Sequence, residues 1–453
     1  MAENSYDLVI VGAGSGNMLP AKEFADWRIA VVESDRFGGT CLNRGCIPSK
    51  ILVHTADVAK EVRHAGRFGI GAKWLGADWP AIRERVFNRI DPVHERAVAY
   101  RRGKGNDVFI GEARFVAPKV LKVGDVEIRG EQFVLATGSR PSVPPINGLA
   151  DVPYVTSDTV MRLPKLPRSM IVLGGGYIAA EMSHIFGSLG TKVTILARGD
   201  SMLSQHDVDI SARFTELYRE RFDLRLRATV ERVMATRKGV RLDLMTPAGA
   251  QSAEGEVLLV ATGRVPNSDR LNVAAAGIDV DDHGHVRTDD TYATKVPGIW
   301  ALGDVANHFQ LKHMANAEAR LVAHNLLHPD EPQRGPFRLA PSAVFADPQV
   351  ASVGAPEQEL KAEGRPYRAA TRKYSDTAYG WALEDTSSFV KVLADPATRL
   401  LLGAHIIGPQ ASTLIQPLIQ AMCLGNTADE VASGVIYIHP ALTEAVEQAL
   451  LEL

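Results

Sequence analysis

Cys41 and Cys46 stand five apart in Gly38-Gly39-Thr40-Cys41-Leu42-Asn43-Arg44-Gly45-Cys46-Ile47-Pro48-Ser49-Lys50. A zinc site needs four ligands, and no second cysteine pair or nearby histidine cluster completes a set, so no metal is expected. In an ideal α-helix, Cα atoms five apart lie about 8.7 Å from each other. A disulfide tolerates no more than about 6.8 Å. A bond between these sulfurs therefore demands a distorted segment, which Gly45 and Pro48 are suited to provide. A bridge held that way is readily reduced. Two buried structural thiols are the plain alternative. The third cysteine, Cys423, lies on an apolar helical stretch and is expected in the core.

His439-Pro440-Ala441-Leu442-Thr443-Glu444 supplies a base with a carboxylate nearby. That spacing alone is unremarkable. Proline makes a cis His439-Pro440 bond accessible, which would aim the imidazole.

The elements that must hold these groups announce themselves by glycine. Leu8-Val9-Ile10-Val11 runs into Gly12-Ala13-Gly14-Ser15-Gly16, and Met170-Ile171-Val172-Leu173 into Gly174-Gly175-Gly176-Tyr177-Ile178-Ala179. Each reads as a strand that ends in glycines and opens a helix, the context a dinucleotide fingerprint requires. Gly12 permits the tight turn, and Gly14 lets backbone approach a pyrophosphate at the helix N-terminus. The next strand delivers Glu33 about twenty residues beyond Gly14, where a carboxylate can accept from an adenosine ribose. The third fingerprint position, normally Gly or Ala, is Asn17.

In the second unit Gly174, Gly176 and Ala179 are in full register. The strand Lys192 to Leu196 ends at Ala197-Arg198, with no acid at the ribose position. Arg198 suits a 2'-phosphate, which favours NADPH over NADH. A further echo follows each unit: Val134-Leu135-Ala136-Thr137-Gly138-Ser139-Arg140-Pro141 matches Leu259-Val260-Ala261-Thr262-Gly263-Arg264-Val265-Pro266. The economical reading is two Rossmann-like α/β domains, the second inserted in the first, followed by an α+β domain. The expected boundaries are 1–150 and 268–337 for the first domain, 151–267 for the second and 338–453 for the last, with a proline-bearing linker at 329–341. Strands are expected at 370–374 and 389–393, and a helical stretch at 413–424.

The chain has 453 residues, 50 Lys+Arg against 53 Asp+Glu and a net charge of -3. No polybasic surface for nucleic acid or membrane follows from that balance. No apolar run approaches the roughly 18 residues of a membrane helix, and the N-terminus leaves no room for a signal peptide. Three cysteines form no disulfide framework, so a reducing cytoplasm is expected.

Together these segments resemble the class I pyridine nucleotide-disulfide oxidoreductases, the flavoproteins of the glutathione reductase and dihydrolipoamide dehydrogenase type, across essentially the whole chain. The most specific element is the Cys41–Cys46 segment, which looks like the family's redox-active disulfide. The resemblance implies FAD at the first glycine motif, with Gly12, Gly14, Glu33, Thr40, Lys50, Ala113, Thr137, Gly138, Ser139, Asp304 and Ala315 facing it. It implies NAD(P)H at the second, with Gly174, Gly176, Tyr177, Ile178, Glu181, Arg198 and Gly263. Lys50 is expected near the flavin, paired with Glu181, and Tyr177 over the flavin face until nicotinamide displaces it.

By the family pattern a hydride passes from NADPH to FAD, and its two electrons then open the disulfide. Cys46 faces the flavin, and Cys41 attacks the substrate disulfide. His439 and Glu444 match a catalytic dyad contributed by the opposite subunit of a homodimer. The segments 14–17, 157–162, 378–386, 414–422 and 439–442 look like the branch that reduces mycothione to mycothiol. Arg44 replaces a valine common between the cysteines, and Ser204 stands where a second 2'-phosphate arginine is expected. Dihydrolipoamide dehydrogenase, linked to NAD, is the alternative, and a non-enzymatic flavin electron-transfer subunit the distant one. Mercuric reductase is disfavoured, because the tail 447–453 has no cysteine pair.

Overall fold

A computed structural model describes residues 4–17, 22–335 and 339–453. Its first sheet is built on Ser5–Val11, whose Leu8, Val9 and Ile10 are fully buried. An apolar run of this kind belongs to a parallel strand covered on both faces. It pairs in parallel with Ile29–Glu33 on one side and Val126–Leu135 on the other. Asp107–Ile110 extends the first edge, and Ile299–Ala301 pairs with the far half of Val126–Leu135. The antiparallel strands Val120–Val123 and Ala113–Ala117 continue from that strand's near half.

The second unit repeats the order. Asp223–Arg225, Lys192–Leu196, Ser169–Leu173 and Val257–Val260 form a four-stranded parallel sheet. Helix Tyr177–Leu189 crosses from its first strand to its second, with Gly190 beyond it in the left-handed conformation that commonly ends a helix. A three-stranded antiparallel sheet, Thr229–Thr236, Gly239–Thr246 and Gly249–Gly255, is inserted before the fourth strand. The C-terminal part is a five-stranded antiparallel sheet, 342–344, 350–354, 401–407, 389–394 and 368–373 in spatial order, backed by helices. The fold is thus α/β with Rossmann-like sheets and a C-terminal α+β part, as expected.

Three local expectations are corrected. The described residues after Gly14 form a 3-10 turn, Ser15–Asn17, and non-helical turns at 22–27. The expected helix therefore does not open there among the described residues, and residues 18–21 of that stretch lie outside them. Asn17 is correspondingly not a helix-packing residue. Its carbonyl and Oδ1 accept from Arg101 Nη2 at 2.6 and 2.8 Å.

The stretch at 413–424 is two helices, Ala411–Leu414 and Gln416–Leu424, the second beginning around Pro417. Cys423 is exposed rather than in the core. That helix buries Leu418 and Ala421, a stripe three residues apart, and Cys423 falls off it. The linker expected at 329–341 includes 336–338, which lie outside the described residues.

Candidate active site

The cysteine segment folds as two helices, Gly39–Arg44 and Cys46–His64, with Gly45 at the break. A Cβ on Gly45 would stand 2.9 Å from the Thr40 carbonyl oxygen, so only glycine lets the halves approach. The break resolves the spacing problem by placing the two cysteines on separate helical segments. Both are free thiols here, and Cys46 donates a hydrogen bond to Cys41. This is the dithiol form of the pair that the sequence suggested as a disulfide.

That hydrogen bond from Cys46 is the main influence holding the Cys41 thiol down at about 7, against its burial. The Lys312 ammonium and the N–H groups of Cys46 and Ile47, at the start of the long helix, act in the same direction. Oriented N–H groups and a nearby cation are what a thiolate requires. Cys46 is pushed up by the same hydrogen bond and by burial.

The thiols face a cavity of about 1220 Å³. All residues expected to face the first dinucleotide line it except Lys50. Gly12, Gly14, Glu33 and Thr40 come from the first sheet's carboxyl edge and the cysteine helix. Ala113, Thr137, Gly138 and Ser139 come from the edge strand and the first echo, and Asp304 and Ala315 from the strand end and helix after it. A Cβ on Gly39 would meet Gly14 Cα at 2.7 Å, so the glycine loop and the cysteine helix touch backbone to backbone. Glu33, nearly buried, accepts from the N–H groups of Ala13 at 2.7 Å and Asp35 at 3.0 Å.

Asp304 and Ser139 are joined as well. Ser139 Oγ donates to Asp304 Oδ2 at 2.7 Å, and Arg264 donates to Ser139 Oγ at 2.8 Å and to its carbonyl at 2.7 Å. Glu318, fully buried, accepts from the Gly303 N–H at 2.6 Å and fixes the loop that carries Asp304. Thr137 Oγ1 is shielded and has no hydrogen-bond partner among the described residues. An orphan hydroxyl, a glycine-lined turn and an acid at the strand end suit a bound dinucleotide such as FAD.

Lys50 Nζ lies over the Phe345 ring, 4.0 Å from the centroid; it makes no direct ion pair with Glu181 among the described residues, but the two charges still act on each other. Lys50 lines a separate cavity of about 350 Å³ with Ile51, His54, Asp57 and Arg85. Glu181 Oε1 instead accepts from the Phe345 N–H at 3.0 Å, and burial pushes its carboxyl up to about 7. Tyr177, Ile178 and Glu181 lie at the start of helix Tyr177–Leu189 and line the large cavity. Gly174, Gly176, Gly263 and Arg198 do not line it. Arg198 is exposed just past Lys192–Leu196, with no ion pair among the described residues.

Arg44 has carboxylate partners that sequence did not disclose. It pairs with Asp35, two residues beyond Glu33, and lies 3.6 Å from Asp158. Arg264 was also unremarked, although its place in the second echo corresponds to Ser139 in the first. Lys312 carried no signal beyond its charge.

His439 and Glu444 meet. The imidazole Nδ1 lies 2.8 Å from Glu444 Oε1, and the His439-Pro440 bond is cis. The hydrogen bond to His439 holds the Glu444 carboxyl below its usual range. The His439 side chain is 70% exposed and is not among the residues lining the cavity of its own chain. Ile436 and Ile438 beside it are exposed too.

Comparison with known proteins places this geometry. The pyridine nucleotide-disulphide oxidoreductase family model matches residues 6–319, and that family's dimerisation domain matches 340–450. The chain is 45% identical to a mycothione reductase of Mycobacterium tuberculosis over 99% of both chains. It is 33% identical to a dihydrolipoyl dehydrogenase of Halobacterium salinarum over 98% of this chain and 95% of that one. The solved structure of the HOCl-induced flavoprotein disulfide reductase RclA from Escherichia coli, in its Cu(II) complex, superposes with a TM-score of 0.86 at 27% identity, covering 100% of both chains. With both family models matched and 45% identity to a mycothione reductase over nearly the whole chain, the chain belongs to the pyridine nucleotide-disulphide oxidoreductases and is a flavoprotein disulfide oxidoreductase.

Proposed function

We propose that this chain uses NADPH to reduce mycothione to two molecules of mycothiol in a reducing cytoplasm, working as a homodimer. The observation that carries the substrate is the 45% identity to a mycothione reductase over 99% of both chains, against 33% to a dihydrolipoyl dehydrogenase. NADPH rests on Arg198, exposed at the ribose position and without an ion pair among the described residues.

FAD, when bound, supplies hydride acceptance from nicotinamide and delivery of two electrons to Cys41–Cys46. Gly12, Gly14, Glu33, Ser139 and Asp304 would hold it. The chain's own groups do the rest. Cys41, whose thiol is held low, attacks one sulfur of the substrate disulfide and forms a mixed disulfide. Cys46 then attacks Cys41, and the second thiol leaves. Each leaving sulfur needs a proton, and a base oriented by a carboxylate can deliver it. The exposed pair His439–Glu444 suits that task from across a two-fold interface, as the partner subunit's His439. The dimerisation domain supports this arrangement.

The test is steady-state kcat/KM for mycothione, lipoamide and glutathione disulfide, each with NADPH and NADH. Mycothiol carries a sugar–inositol body, whereas glutathione disulfide carries several carboxylates and should be poor. Comparable efficiency with lipoamide would overturn the substrate assignment. Comparable efficiency with NADH would overturn the coenzyme.

A further inference from the structure

Lys391 is 1% exposed, a costly place for an ammonium unless carboxylates meet it. Its Nζ lies 2.8 Å from Asp207 Oδ1, 2.6 Å from Asp209 Oδ2 and 2.5 Å from Glu357 Oε2. Lys391 stands in strand Phe389–Ala394 of the C-terminal sheet. Asp207, fully buried, belongs to the second Rossmann-like unit and caps helix Val208–Arg221 there. Its Oδ1 also accepts from the Asp209 N–H at 3.0 Å, and its Oδ2 from the Glu357 N–H at 2.9 Å. On either side of Asp207 the backbone is held by one side chain of the C-terminal part. Gln358 donates to the His206 carbonyl at 2.9 Å and accepts from the Val208 N–H at 3.0 Å. His206 Nδ1 lies 3.1 Å from Ser352 Oγ. Three successive residues, 206–208, are thus moored on the C-terminal part.

These residues end the loop that follows strand Lys192–Leu196 and carries Arg198 and Ser204. Midway along it, the Leu203 N–H donates to the Gly175 carbonyl at 2.8 Å, so the loop leans on the second glycine turn. Leu203 itself has a φ of 52°, which a leucine keeps only where its surroundings fix it. Met202 is tied to the capped helix: its N–H donates to Thr215 Oγ1 at 2.9 Å, and its carbonyl accepts from Ser211 Oγ at 2.6 Å. A shift at the start of that helix would therefore carry the loop and its contact with Gly175. A buried ion pair adds little stability over apolar side chains of the same size, but it can fix one arrangement. We propose that Lys391 and Gln358 are positioning residues for the coenzyme, holding from the C-terminal part the loop that presents Arg198 to the adenosine 2'-phosphate. Neither lines the large cavity, so each acts through the loop. The proposal rests on the NADPH reading of Arg198.

The experiment uses FAD-loaded enzyme and two probes, adenosine 2',5'-bisphosphate and ADP, which lacks the 2'-phosphate. Calorimetry gives Kd for each with wild type, Gln358→Ala and Lys391→Met. Gln358 is exposed, so its truncation leaves the core intact. Bisphosphate binding should weaken about threefold in Gln358→Ala and about tenfold in Lys391→Met, and ADP binding by less than about twofold in both. KM for NADPH should rise in the same order while kcat holds. A merely structural role would lower the melting temperature and shift both adenosine ligands alike. Unmoved bisphosphate affinity in a folded variant, or equal weakening of both probes, overturns the proposal. If Lys391→Met loses its FAD because three carboxylates are left without a cation, Gln358→Ala decides alone. If Arg198→Ala binds the bisphosphate as wild type does, the NADPH reading fails, and the proposal falls with it.

Discussion

Arg264 donates to Ser139 Oγ at 2.8 Å, and the two residues occupy the same position in the two halves of an internal repeat. The strands that carry them, Ser139–Pro141 and Arg264–Pro266, pair antiparallel as a two-stranded ribbon. The repeat is therefore also a contact: the segments that leave the two parallel sheets are hydrogen-bonded to each other. The chain Arg264 to Ser139 to Asp304 carries that contact into the cavity wall.

Arg264→Met should consequently loosen FAD. It removes the donor to Ser139, whose hydroxyl orients Asp304. Hydrogen bonds to charged groups contribute about 1.5–3 kcal/mol. Part of that acts indirectly through Ser139, so FAD retention should fall by roughly ten- to a hundredfold, read by equilibrium flavin fluorescence. Unchanged retention would show that Asp304 holds its place without this chain.

Arg198→Ala should raise KM for NADPH while sparing NADH. Loss of a phosphate partner costs on the order of 1.5–3 kcal/mol in coenzyme binding. Ser204, in place of a second arginine, makes the preference smaller than a two-arginine site would give. An equal loss for both coenzymes sinks the assignment.

The two thiols should separate by mutation. Cys41→Ser should leave Cys46 as a thiolate against oxidised flavin and give a long-wavelength band, and Cys46→Ser should lack it. Both should lose disulfide reduction yet keep NADPH-dependent flavin reduction. If the band appears in Cys46→Ser instead, the roles are reversed. In the wild-type dithiol form, the lowered Cys41 thiol sets the direction with pH. Its thiolate fills as pH rises through about 7, so alkylation at Cys41 should climb between pH 6 and 8. A midpoint near the free-thiol value of about 8.5 would contradict that.

Much of this site was legible because it is local. Leu8 to Val11 and Met170 to Leu173 are apolar runs ending in glycine, and both became central parallel strands. Distance arithmetic called for a distorted segment between bonded cysteines and offered Gly45 and Pro48 for it, and the break falls at Gly45. What stayed hidden depends on contacts far along the chain. Glu181 meets the Phe345 N–H and Lys50 the Phe345 ring, a neighbour that neither segment announces. Arg44 finds Asp158 more than a hundred positions away. Cys423 misled because its helix is apolar on more than the face it buries in one chain, with Leu424 exposed beside it.

The dyad offers the sharpest test of assembly. His439 bonds Glu444, yet it faces outward and stands apart from the cavity that holds Cys41 in the same chain. A symmetric dimer with an isologous interface would form two equivalent composite sites, each taking Cys41 from one subunit and His439 from the other. His439→Ala should slow the disulfide half-reaction by roughly 10²–10⁴-fold, the usual contribution of a general acid–base, and leave flavin reduction by NADPH nearly unaffected. Mixing inactive Cys41→Ser chains with inactive His439→Ala chains then separates the two geometries. A heterodimer with sites built across the interface has one site with both lesions and one with neither, so activity should partly return after subunit exchange. If each site were built within one chain, every site would keep one lesion, and heterodimers verified by mass would remain inactive.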